Sequence, residues 1–107
     1  MSIGQLHHPI SSQSEEVQQR LAEQFARVEA YQYNPSSIRL RIVDERFRGL
    51  PKLARVDLVE PFLDGLTTDL QEQLIFVLCL ASGEERDPDF ECLNREFEEP
   101  DPPLAIS

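Results

Sequence analysis

The chain has 107 residues, 40% of them apolar and 28% charged, with no Trp, a composition that supports one modest core and excludes a multidomain enzyme. Its net charge of −10 opposes non-specific attachment to nucleic acid or anionic lipid, because phosphate binding depends on Lys and Arg. No run of about 18 apolar residues offers a membrane span and no basic start leads into an apolar run, so a cytoplasmic protein without membrane contact is expected.

Residues 1–13 hold Gly4, His7, His8 and Pro9 with little periodicity and read as a flexible leader. Ser12-Gln13-Ser14-Glu15 fits a capping box, and Val17, Leu21 and Phe25 recur every four residues behind it, which predicts a helix over 14–26. Polar and apolar residues alternate from Arg27 to Tyr33 and again from Ile38 to Val43. Those are two strands, and Asn34-Pro35-Ser36-Ser37 between them supplies turn chemistry for a hairpin. From Leu50 to Leu66 the apolar residues fall at helical spacing, but Pro61 lacks an amide donor and crowds the preceding turn. A kink or two short helices are expected there, with Gly65 ending the second. Thr67 or Thr68 can cap one further turn before Leu74–Ala81, a continuous apolar run that suits a strand covered on both faces. The body, residues 14–82, is therefore an α/β (α+β) domain in the order α-β-β-α-(α)-β.

Residues 83–107 form an acidic tail, with nine carboxylates against Arg86 and Arg95 for a net of −7, and four prolines that oppose regular structure over much of it. Phe90, Leu93 and Phe97 still recur at helical spacing, which allows a short helix docked on the body. Cys79 lies in the apolar run and reads as a small buried hydrophobe, while Cys92 has acidic neighbours that oppose thiolate formation. Both are expected to be free thiols.

Val43-Asp44-Glu45-Arg46-Phe47-Arg48-Gly49-Leu50, followed by Arg55 and then Leu58-Val59, resembles the BolA family, whose members carry a strand running into an F-x-G-L turn and a helix containing R-H-x-L-V. The spacing matches without a gap, and the element order agrees over roughly residues 14–82. The resemblance implies a class II KH-type fold, a three-stranded mixed sheet with helices packed on one side. It also implies a partner: family members share an iron–sulfur cluster with a monothiol glutaredoxin through the histidine of that helix motif, many adding a His or Cys from the loop between the first two strands. Here Val56 stands at the histidine position and the loop Asn34 to Ser37 holds neither His nor Cys. A hydrocarbon has no lone pair for a metal, so the chain is expected to bind no cofactor. The adjacent His7 and His8 would give only a weak, unselective site.

The KH resemblance raises nucleic-acid binding, although the G-x-x-G loop on which KH domains depend is absent from the sequence. Arg39, Arg41, Arg46, Arg48, Lys52 and Arg55 do concentrate six of the ten basic residues between positions 39 and 55, for a local net of +4 after Asp44 and Glu45. That patch can meet phosphate, an acidic protein or the chain's own tail, or its alternating arginines can simply be the solvated face of a strand. Catalysis has little to build on: both histidines lie in the leader, and Asp57, Glu60 and Asp64 fall along one helix edge as a solvated face does. The expectation is a non-enzymatic domain acting through protein contacts at Arg39, Arg41, Arg46, Arg48, Lys52, Arg55 and Val56. The alternative is a nucleic-acid-binding regulator whose basic patch the acidic tail masks.

Overall fold

A computed structural model describes residues 9–99. His7, His8 and the last prolines, for which the sequence raised expectations, lie outside the described residues.

The first helix, α1, spans Ser12–Ala22. Its capping box sits one residue upstream of the expected one: the Ser11 hydroxyl accepts from the Ser14 amide at 2.9 Å, and the Ser14 hydroxyl accepts from the Ser11 amide at 2.9 Å. The Ser11 hydroxyl also donates to Gln32 Oε1 at 2.6 Å, and this tie to the sheet selects Ser11 over Ser12. The helix ends four residues before the expected Ala26, where the Gln24 amide bonds the Leu21 carbonyl three residues back and tightens the last turn, and Phe25 beyond it is buried in the core.

Strands β1 (Arg27–Asn34) and β2 (Ser37–Val43) form the expected antiparallel hairpin, whose turn is held by the Asn34 side chain accepting from the Ser36 amide at 2.9 Å. A 3₁₀ turn over Glu45–Phe47 and Gly49 at φ 81 lead into α2, Lys52–Leu63. Pro61 lies inside that single helix rather than breaking it. The carbonyl it leaves without a helical donor is that of Asp57, on the exposed edge where water can serve, and only two helical residues follow. Helix α3, Thr68–Gln73, has Thr67 as its cap, with the hydroxyl accepting from the Leu70 amide. Strand β3, Leu74–Leu80, then pairs parallel to β2, giving the sheet order β1-β2-β3. The acidic segment is more ordered than its prolines suggest: a 3₁₀ turn over Glu84–Arg86 precedes α4, Glu91–Glu98.

The period of two along each strand separates two cores. On one face Val28, Ala30, Ile38, Leu40, Ile42 and Cys79 meet Val17 and Leu21 of α1, Val59 of α2 and Leu70 of α3. On the other, Tyr31, Val43, Leu78 and Leu80 meet Phe90 and Phe97. The sheet thus carries α1, α2 and α3 on one side and α4 on the other, where the family resemblance implied helices on one side and the apolar run of β3 implied cover on both. Tyr31, Leu78 and Leu80 make that second face too apolar to leave in water. The molecule is mixed α+β around a three-stranded mixed sheet, and no helix among the described residues is long and apolar enough to cross a membrane.

Candidate functional site

The seven residues singled out in the sequence do not form one surface. Arg39 and Arg41 point from β2 into the second core and are 8% and 3% exposed, so the solvated-strand reading fails: every residue of β2 is buried. Helix α4 is the cover. Arg39 lies between the rings of Tyr33 and Phe76, 3.9 and 5.0 Å from their centroids, and donates through Nη1 to the Glu96 carbonyl at 2.9 Å and the Glu96 carboxylate at 3.0 Å. Arg41 donates to Glu29 at 2.9 Å and also to Asn94 Oδ1 and the Glu98 carboxylate. Burial opposes the charge on Arg41, but its bonds to Glu98 and Glu29 outweigh that and leave the guanidinium harder to deprotonate than usual.

Arg55 is buried elsewhere, 3% exposed at the junction of α2, β3 and the second 3₁₀ turn. It donates to the Leu50 carbonyl at 2.8 Å, the Cys79 carbonyl at 3.2 Å and both carboxylate oxygens of Glu84, with its guanidinium over the Phe90 ring. Hydrogen bonding to Arg55 holds the Glu84 carboxyl below its usual range. Arg46 and Arg48 stay at the surface but pair locally. Arg46 chelates Asp44 and reaches the Gln24 carbonyl, and Arg48 bonds Glu45 at 2.7 and 2.9 Å. Lys52 is exposed, its ammonium 4.9 Å from the Phe90 ring centroid.

Val56 is half-buried. It packs on the first core and lines a cavity of about 60 Å³ with Lys52, Val77, Leu78, Cys79, Phe90 and Leu93. One turn away, Leu53 is 81% exposed, and Leu93 of α4 is partly exposed across the same cavity. Lys52, Leu53, Val56 and Leu93 therefore make a small apolar surface with one cation at its rim. The sequence pattern does not single out Leu53 or Leu93 as surface residues, because both fit the helical spacing of core positions.

The donors needed for an iron–sulfur cluster do not fit this site. Val56 offers carbon alone, and the Asn34 side chain is spent on the Ser36 amide and hydroxyl. The Cys79 thiol is buried and pushed up to about 12 by desolvation, so it is held protonated where a cluster needs thiolate. The acidic depression between the second 3₁₀ turn and α4 offers no free acid–base pair in Glu85, Glu91 or Glu98, which pair with Arg27, Arg95 and Arg41. Asp57, Glu60 and Asp64 are exposed along α2, as their spacing predicts. Comparison with family models, with curated proteins and with solved structures finds no match for this chain.

Proposed function

We propose that the chain is a non-enzymatic, BolA-like protein-interaction domain that meets a monothiol glutaredoxin in the cytoplasm through Lys52, Leu53 and Val56, without ligating iron. The element order α-β-β-α-α-β, with β3 parallel to β2, supports the family reading. The carrying observation is Leu53, 81% exposed one helical turn from Val56 at the position where family members present their histidine. The arginines that would favour a nucleic acid are already held by Glu29, Glu84, Glu96 and Glu98.

Anaerobic mixing with a cluster-loaded monothiol glutaredoxin tests this reading. A complex forms whose visible spectrum is that of the glutaredoxin alone, and Leu53→Asp abolishes it. A new chain-dependent absorption band would overturn the loss of ligation. Absence of a complex, together with salt-dependent binding of single-stranded RNA by the full chain, would instead establish nucleic-acid binding by a basic patch that the acidic tail does not mask.

A further inference from the structure

Helix α4 is poorly equipped to exist alone. Eight residues are too few to offset helix nucleation in water, and Glu96 and Glu98 crowd the end where unpaired carbonyls already concentrate negative charge. The sheet supplies what the helix lacks. Arg39 donates to the Glu96 carbonyl at 2.9 Å and Tyr31 Oη to the Phe97 carbonyl at 2.6 Å, so two carbonyls of the last turn find donors on the strands. The flanking carboxylates of Glu96 and Glu98 meet Arg39 and Arg41. Between them the fully buried Phe97 ring lies 5.0 Å from Tyr31, 6.1 Å from Phe76 and 4.8 Å from the Arg41 guanidinium.

Strand register builds this receptor, since Tyr31 pairs with Arg39 and Arg39 with Phe76, placing ring, cation and ring in one row across the sheet. The receptor is not saturated. Among the described residues Arg39 Nε has no hydrogen-bond partner, although Arg39 is more than nine-tenths buried beneath α4. A buried donor left unpaired costs free energy that a better-fitting acceptor would recover.

We propose that the sheet face under α4 is a recognition site for the C-terminal turn of an acidic helix from another protein, and that α4 fills it in cis as a tethered competitor. The partner helix presents a buried aromatic between two carboxylates, the order found here in Glu96-Phe97-Glu98, and ends where its carbonyls reach Tyr31 and Arg39. The short connection from β3 to α4 gives the resident helix a high effective concentration, so the site opens to a partner only when α4 is weakened or outcompeted. The Leu53 surface adjoins α4 at Phe90 and Leu93 but uses none of Tyr31, Arg39 and Arg41, which hold the last turn of the helix.

A labelled synthetic peptide copying residues 87–99 probes the site in the full chain. The Phe97→Ala variant and the Glu96→Gln/Glu98→Gln double variant are expected to bind it at least tenfold more tightly than the unaltered chain does. Salt weakens that binding, and a peptide lacking the phenyl ring loses it. The double variant keeps Phe97 and so carries the test where Phe97→Ala does not fold by circular dichroism. Leu53→Asp leaves peptide binding unchanged, which separates this result from the glutaredoxin experiment. Folded variants that bind the peptide no better than the unaltered chain would overturn the proposal. So would single-stranded RNA binding to the variants in the peptide's place, or a chain dimer that the peptide dissolves, each of which names a different occupant.

Discussion

Arg55 joins three parts of the chain through one guanidinium, and its pair with Glu84 is nearly dry, at 3% and 12% side-chain exposure. A pair of this kind adds little over a well-packed hydrophobic substitute, but removing one member strands the other charge. Glu84→Ala is therefore expected to lower stability by about 3 kcal/mol, read as a shifted urea midpoint with unchanged slope. Asp44 gives a pH signature. Hydrogen bonds from the Arg46 side chain, and then from the Arg46 and Ala26 amides, lower its carboxyl from 3.8 to about 2. The folded form therefore binds the ionised group better, so the stabilisation is complete above the ordinary value of 3.8 and is lost as pH falls toward 2. Asp44→Asn should cost about 1–2 kcal/mol at neutral pH and flatten the stability profile across that acid window, measured by thermal melts at stepped pH.

Among the elements, α4 divides most sharply into buried and wet faces. Phe90, Asn94 and Phe97 are buried, while Leu93 is partly exposed. Phe97→Ala is expected to cost about 3–5 kcal/mol and Leu93→Ala less than about 1, compared in parallel denaturant titrations. Spacing revealed the helix but not its facing. Phe90, Leu93 and Phe97 suggest one stripe, yet the position beside Arg41 belongs to Asn94, a polar residue that an apolar pattern passes over. The same blindness affected β2. Ile38, Leu40 and Ile42 identify the strand and its inner face, but Arg39 and Arg41 look like a wet outer face until a later helix is known to lie on them. Short-range signals in the first six elements were legible because each depends on neighbours in sequence: Thr67 before α3, Asn34 before the turn, Val17 and Leu21 along α1. The contacts of Arg39 and Arg41 with α4 lie more than 50 residues away in sequence, and the Glu84 partner of Arg55 lies 29 away, so the burial of these arginines left no local mark. Val56 was legible in identity and not in setting, since half-burial against β3 is a tertiary fact.

For the whole molecule the charge of −10 is unevenly spent. Eight arginines carry ion pairs among the described residues, which leaves a surface dominated by unpaired carboxylates. That repulsion opposes self-association everywhere except along β3, an edge strand reading Leu-Ile-Phe-Val-Leu-Cys-Leu with no charge or proline to blunt it. Arg55 covers its far end at the Cys79 carbonyl, while Ile75 stands 63% exposed at the near end. Ile75→Lys should therefore reduce concentration-dependent association in light scattering while shifting the melting temperature little. The two thiols have the opposite asymmetry. Cys79 sits in the core, pushed up to about 12, whereas Cys92 faces outward from α4. A maleimide dye added near neutral pH, where it prefers thiols to amines, would thus decorate a single position, and that position travels with the C-terminal helix. The native chain comes equipped with its own optical handle for watching the lid lift, with no engineered cysteine required.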